Sequence, residues 1–491
     1  MRDTLFHLAR DGRTPLQAQL REMLVGAILA GRLPPGEPLP SSRKLAASLD
    51  IARNTVALAY QDLVADGFLI ARERRGYFVN AEILKGRAAP PPPALAPGAA
   101  PDWDRRILTR LAAQRNIVKP RDWRRLRYPF IYGQTDPALF PLSEWRECSR
   151  QAMSVESVLE WTGDRFAEDD PQLVEQIRTR LLPRRGIAAA ADEILVTVGA
   201  QHALYLLAAL LVDKKTTVGI EDPGYADARN IFALRTAHLK RLPVDDDGVK
   251  VDKTLAGCGL VYVTPSHQFP TTATLSLERR QKLIAEATRL DFLIVEDDYD
   301  SELNYVGAPS PALKSLDAAG RVAFVSSLSK TLAPGLRLGY LVAPRELVRE
   351  ARALRRLMLR HPPTNNQRTI ALFLARGHHD ALVRRLTHAF RERWQVMREA
   401  LARHLPSCRV WPSVGGTAFW IEGPAGLDAG QLERRAAAQS LLIEPGDVHF
   451  LAAPWPKNCF RLGFSSIPVD RIEPGIRLLG DLIGKAENGG G

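Results

Sequence analysis

A Pro/Ala tract, PPPPALAPGAAP at Pro90–Pro101, sets the first limit on how this chain can fold. Proline fixes φ and removes a backbone donor, so such a run favours an extended, semi-rigid spacer and cannot build a core. It divides the 491 residues into a short and a long part. A chain of this length calls for two or three domains in any case. The boundaries read as a compact domain over 1–80, a connector over 81–125 and a large domain over 126–485. The connector closes in a basic, Trp-containing stretch, and the last residues, AENGGG, read as a frayed tail.

A net charge of +12 favours a polyanionic partner. The plainer reading is a set of solvated arginine-rich helix faces. The cysteines, Cys148, Cys258, Cys408 and Cys459, have no short paired spacing. That speaks against a zinc site or any disulfide framework and suits a reducing cytoplasm. At the start, MRDTLFHLARDGR places charge before an apolar run can build up, so no secretory leader is expected. No stretch reaches the ~18 uninterrupted apolar residues of a membrane span.

In the N-terminal part, Leu16, Leu20, Leu24 and Ile28 recur at helical spacing, and the helix stops at Gly31. Pro34, Pro35 and Pro38 enforce a turn. Pro40-Ser41-Ser42 opens a second helix through Leu49, with serine at the cap. After Asp50-Ile51-Ala52 a third helix runs from Arg53 to about Asp66, burying Val56, Tyr60 and Leu63. Two helices joined by so short a turn form the helix-turn-helix pattern. FLIARERRGYFV then reads as a basic hairpin, or wing, around Arg74-Arg75-Gly76. The third helix presents Arg53, Asn54 and Thr55 to a DNA groove, where arginine can bond O6 and N7 of guanine together. Arg43, Lys44, Arg74 and Arg75 suit backbone phosphates. The run from Leu33 to Val79 resembles the DNA-binding domain of the GntR family. The resemblance implies DNA contacts from Arg43, Arg53, Thr55 and Gly76. The chain has Ala52 where that family often has Ser or Thr.

In the C-terminal part, short β-branched runs at 193–198, 216–220, 259–264, 291–297 and 321–327 alternate with helical patterns such as Gln201–Leu211 and Leu277–Thr288. Alternation of this kind predicts an α/β fold, a mostly parallel sheet with helices on both faces. Long amphipathic helices follow residue 345, and FWIEGP and RLGFSSI predict a small α+β C-terminal lobe.

FVSSLSKTLAPGLRLGY (324–340) puts Lys330 just past a strand end, among hydroxyls, with Arg337 beyond it. An amine so placed suits a Schiff base with an aldehyde cofactor whose phosphate needs an anchor. VEDDYDSEL (295–303) ends a strand in carboxylates, and one of these can keep a pyridine nitrogen protonated. EDPGY (221–225) places Tyr225 where a ring can stack on a flat cofactor. TVGAQHAL (197–204) joins strand to helix at Gly199-Ala200-Gln201, so helix amides can meet a phosphate.

Together these motifs resemble fold-type I, class I aminotransferases over roughly residues 130–480. The resemblance implies pyridoxal 5'-phosphate, with Lys330 as internal aldimine, Asp297 on the pyridine nitrogen and Tyr299 near the 3-oxygen. It also implies stacking by Tyr225, phosphate contacts from Ala200, Gln201, Ser327 and Arg337, and a carboxylate grip by Arg461. Two departures point away from efficient transamination. One residue, not two, separates Asp297 from Tyr299, and HQFPTT (267–272) puts Phe269 and Thr272 where the family has Asn and Gly.

The fusion of both motif sets, with TPSHQFP at Thr264–Pro270 and EDDYDSE at Glu296–Glu302, resembles the MocR/GabR-type transcription regulators. That resemblance implies a cytoplasmic head-to-tail homodimer on a double-stranded operator. It also implies an amino-compound effector whose amine displaces Lys330 as an external aldimine while Arg461 holds its acidic end. Two other readings remain at this stage: a working aminotransferase with an accessory DNA-binding domain, and a DNA-binding protein whose catalytic fold serves only as a dimerisation scaffold.

Overall fold

The computed structural model describes residues 8, 14–84, 101–307 and 310–488. The Pro/Ala tract up to residue 100, most of the N-terminal start and the terminal glycines lie outside them. The chain divides into two compact units, Met1–Thr109 and Arg110–Gly491.

In the first unit, α1 (Leu16–Leu29) buries Leu20, Leu24 and Ile28 along one face. Helix α2 (Ser42–Leu49) is capped by Ser41, whose Oγ accepts from the Lys44 amide at 3.3 Å. Asp50 then turns the chain through φ 51°, the left-handed region that Asp tolerates better than most residues. Helix α3 (Arg53–Ala65) packs Val56, Ala59, Tyr60 and Leu63 inward. The Tyr60 hydroxyl donates to the Pro40 carbonyl at 2.9 Å, tying α3 to the entry of α2. Strands β1 (Leu69–Arg72) and β2 (Gly76–Val79) pair antiparallel, Leu69 opposite Val79. Gly76, at φ 95°, makes the hairpin turn that an L side chain would strain.

The second unit is built on a sheet that has eight strands among the described residues. They are β3 (Ile194–Thr197), β4 (Val218–Asp222), β5 (Leu239–Asp245), β6 (Gly248–Val249), β7 (Leu260–Val263), β8 (Leu293–Asp298), β9 (Val322–Ser327) and β10 (Gly339–Val342). Their spatial order is β3-β10-β9-β8-β7-β4-β5-β6. The run from β9 to β5 is parallel, and β10 is antiparallel to both its neighbours. Every residue of β3, β4 and β7 is buried, as expected of strands covered on both faces. Helices α4 (Ala200–Leu211) and α5 (Leu277–Leu290) contribute to separate hydrophobic clusters on the sheet.

After α6 (Arg345–Leu359) and the long α7 (His378–His404) comes an antiparallel four-stranded sheet in the order β11-β12-β14-β13. Its strands are Arg409–Val410 (β11), Ala418–Glu422 (β12), Glu444–Pro445 (β13) and Cys459–Gly463 (β14), and α8 (Val469–Asn488) closes the chain. This is the small α+β lobe.

Residues 110–125, the end of the connector by composition, belong to the second unit. Side-chain chemistry overrides the linker-like sequence there. The Arg115 guanidinium lies 3.5 Å from the Trp455 ring centroid and pairs with Asp447 at 2.9 Å. The Arg115 carbonyl accepts from Arg229 and Asn230 at 2.8 and 3.0 Å. Among the described residues no helix is long and apolar enough to cross a membrane.

Candidate functional site

Two surfaces carry the chemistry. On the first unit, Arg43 lies in the first turn of α2 and Arg53 and Asn54 open α3, all three exposed, with Thr55 half-buried beside them. Arg75 and Gly76 are exposed at the tip of the hairpin. Ala52 caps α3 with no side-chain bond, so the helix begins with free amide donors.

In the second unit a cavity of about 340 Å³ is lined by Ala200, Gln201, Tyr225, Asp297, Tyr299, Ser327, Lys330, Arg337 and Arg461. All nine of the residues expected around the cofactor and its effector meet there. The parallel strands bring them together: β8 delivers Asp297, β9 leads to Lys330, and the junction of β3 and α4 delivers Ala200 and Gln201. Ligand sites of open α/β sheets form at the carboxyl ends of their strands in this way.

The electrostatics follow from burial. Asp297 accepts from the Tyr262 hydroxyl at 2.9 Å through Oδ2, while Oδ1 has no partner. Burial pushes its carboxyl up to about 7. Burial pulls the Lys330 ammonium down to about 7, and the nearby Lys119 charge adds to this. Arg461 is 1% exposed and uses only Nε, on Glu444 at 3.2 Å; Nη1 and Nη2 are unpartnered. A buried donor left unmade costs about 1–3 kcal/mol, so such atoms mark where a ligand belongs.

At the opposite end, Gly199 has φ 76°, and a Cβ there would lie 3.1 Å from Arg337 Nη2. Only glycine lets the arginine lie across the start of α4. Arg337 itself adopts φ 48° and donates to the Val198 carbonyl at 3.2 Å. With the buried, unpartnered Ser329 hydroxyl and the α4 amides, this end gathers donors of the kind that suit a phosphate.

The two sequence departures take physical form. Phe269 sits at the centre of Tyr132, Tyr225, Tyr299 and His449, with ring centroids 5.0–5.9 Å away, and the Arg461 guanidinium lies 4.5 Å over it. An apolar platform thus stands where the aminotransferases offer an amide. Thr272 adopts φ 63°, the conformation of the glycine it replaces. The Tyr299 hydroxyl donates to the His267 carbonyl at 2.8 Å, and Asp300 lies 2.8 Å from His267 Nδ1. Glu221, buried and pushed up to about 7, anchors this loop by accepting from Thr264 and Gln268.

Ile117, Lys119, Tyr132 and Tyr262 also line the cavity, and Glu444 braces Arg461 from behind. None carries a local motif. Tyr262 alone had a signal, as the polar residue of an otherwise apolar buried strand.

Comparison with known proteins now bears on this geometry. Residues 16–79 match the family of bacterial regulatory proteins called gntR, and residues 145–477 match aminotransferase class I and II. The HTH-type transcriptional regulator TauR of Rhodobacter capsulatus is 46% identical over 96% of this chain and 97% of its own length. The probable rhizopine catabolism regulatory protein MocR of Rhizobium meliloti is 32% identical over 96% and 94%. The chain belongs to the MocR-type transcription regulators. Its second unit has the aminotransferase fold. LysN, an alpha-aminoadipate aminotransferase from Thermus thermophilus, superposes with a TM-score of 0.71 at 26% identity, covering 79% of this chain and 99% of LysN. Kynurenine aminotransferase from Pyrococcus horikoshii gives 0.70 at 25%, over 78% and 98%. These two were solved with N-(5'-phosphopyridoxyl)-L-leucine and with PMP, and the class I fold family is pyridoxal-phosphate-dependent. The regulator therefore joins a GntR-type DNA-binding domain to an aminotransferase-like domain.

Proposed function

We propose that this regulator binds pyridoxal phosphate at Lys330 and senses a small amino compound by letting the effector's amine take the place of the lysine. The observation that carries the reading is the pairing of Lys330 with Arg461, whose two Nη atoms are unpartnered, in one cavity. The donor set suits the cofactor: an unpartnered Asp297 Oδ1 for a pyridinium N–H, Arg337 and the α4 amides for a phosphate, and Tyr225 for the ring face. When bound, pyridoxal phosphate supplies an aldehyde carbon that joins one amine at a time.

The chain's own groups set the exchange. With its ammonium drawn to about 7, Lys330 is largely a neutral nucleophile at physiological pH. An incoming effector must lose its ammonium proton to solvent, and the displaced Lys330 Nζ, lowered to about 7 by burial, leaves as a largely neutral amine. Arg461 meets the effector's acidic end with a planar fork of two free N–H groups. Phe269 and its aromatic neighbours exclude water from the path between these two ends.

Release of Lys330 removes a tether within the second unit. In a cytoplasmic head-to-tail homodimer, this change biases the spacing of two DNA-reading heads on a double-stranded operator. Coupling of that kind requires the effector to bind the two states differently. The test is Lys330→Ala in the full chain. Cofactor absorbance and the effect of amines on operator binding should both disappear. Retention of both would overturn the reading, and steady amino transfer to a 2-oxo acid by the unaltered protein would favour a working aminotransferase instead.

A further inference from the structure

Two charged side chains that no motif accounts for line the cavity, Lys119 and Asp227, and of these Lys119 is the cation. Lys119 lies within the first ten residues of the second unit, on the segment anchored by Arg115. Its ammonium donates to the Tyr132 carbonyl oxygen and stands 5.4 Å from the Tyr132 ring centroid. Lys330 Nζ is 4.2 Å and Arg461 Cζ 4.0 Å from the same centroid. The point that a Cβ on Gly133 would occupy is 2.7 Å from Lys330 Nζ and 3.4 Å from Lys119 Nζ. Three cations thus crowd one aromatic ring.

The acidic groups nearby already accept other bonds, although Glu444 Oε1 has no partner. Glu444 Oε2 accepts from Arg461 and from the Tyr132 amide, Asp227 accepts from the Tyr225 hydroxyl, and Asp300 faces His267. An ammonium has three donors, and one bond to a carbonyl leaves Lys119 with capacity to spare. Burial lowers it only to about 8, so it remains mostly charged near neutral pH.

We propose that Lys119 is a second effector-binding residue, donating to an oxygen of the effector's acidic group that the Arg461 fork does not hold. The effector class is then a short primary amine ending in an oxyanion, a carboxylate or a sulfonate. A guanidinium fork holds two oxygens in one plane, and an ammonium supplies a contact from a second direction. This assignment rests on the proposed exchange at Lys330 and adds the residue that selects among amines.

The experiment titrates the full-length, cofactor-loaded protein with 4-aminobutanoate, 3-aminopropanesulfonate and butylamine, reading cofactor absorbance and thermal shift. Lys119→Met also removes a charge beside Lys330, a change all three amines share, and should weaken the two acids by about a further tenfold relative to butylamine, the scale of one charge-assisted hydrogen bond. Lys119→Arg, which keeps the charge, should recover part of the loss. The acid that loses more identifies which oxyanion the pocket is built for. Equal weakening of all three amines, or no change, would overturn the assignment. If none of the three amines changed the unaltered protein's spectrum, amine exchange at Lys330 would fail, and the thermal shift from the two acids would still decide Lys119.

Discussion

The DNA-reading unit carries Arg43, Arg53, Asn54, Arg75 and Gly76 on its exposed surface, whereas the second unit holds Asp297 and Arg461 almost wholly out of solvent. A solvated arginine costs the folded chain little before DNA arrives, and phosphates then reward it through counterion release. A buried carboxylate oxygen or guanidinium N–H with no protein partner is left for a ligand to satisfy. The cavity therefore carries a penalty that its ligand relieves, and binding should raise the stability of the second unit. Surface charge gives reach and salt dependence; unpartnered buried groups give chemical selectivity.

The sharpest test of this contrast is Asp297→Asn, which keeps an acceptor for Tyr262 and removes the charge. Cofactor affinity should fall by roughly 10–100-fold, from about 1.5–3 kcal/mol for a charged hydrogen bond. The unfolding midpoint of the cofactor-free protein should not fall, and fluorescence titration with thermal denaturation measures both. Unaltered cofactor affinity would remove Asp297 from the site.

Next in size is Arg53→Ala. It should cost about 1–3 kcal/mol of operator binding and relax base preference at one position. Its own stability should move by no more than about 0.5 kcal/mol, as for an exposed substitution. A large loss of stability would show that the reader's arginine is structural and would break the comparison.

A smaller effect concerns pH. Lys330 titrates near 7 in the folded protein against 10.5 for an ordinary lysine. The neutral amine is the nucleophile, so cofactor uptake by the cofactor-free protein should rise as pH passes 7 and level off above it. A solvated lysine would keep gaining up to about 10. Stopped-flow absorbance across pH 6–9 separates the two, in ~0.5-unit steps within the range where buried lysines titrate.

The mildest change is Ala52→Ser at the uncapped start of α3. A side-chain cap should add about 0.5–2 kcal/mol to the first unit, seen as a raised melting temperature, with the cavity's ligand affinities unaffected.

Local pattern carried much of this protein. Leu20, Leu24 and Ile28 lie on one helical face because the period of the helix places them there, and the positions of α2 and α3 follow from Ser41, Asp50 and the arginine after Ala52. Lys330 and Asp297 were legible for a related reason: Asp297 lies near the end of one strand and Lys330 just past the end of its neighbour, and the ends of parallel strands lie side by side. The replacement of glycine by Thr272 was readable in position, but its φ of 63° is a property of the folded loop. The character of residues 110–125 was not legible, since a basic stretch reads as solvated until Trp455, Asp447 and Arg229 are seen to hold it.

The order of residues alone thus established a helix-turn-helix and a sheet of parallel strands, and put Lys330 just past a strand end, because each depends on neighbours in the chain. Only the tertiary structure decided which distant groups share the cavity. Lys119 and Tyr132 both precede the first strand of the sheet, and Glu444 and Arg461 come from the C-terminal lobe. They meet around the Tyr132 ring because the segment before the sheet packs against the C-terminal lobe there. No period or spacing records such a meeting, since it is set by packing across most of the chain's length.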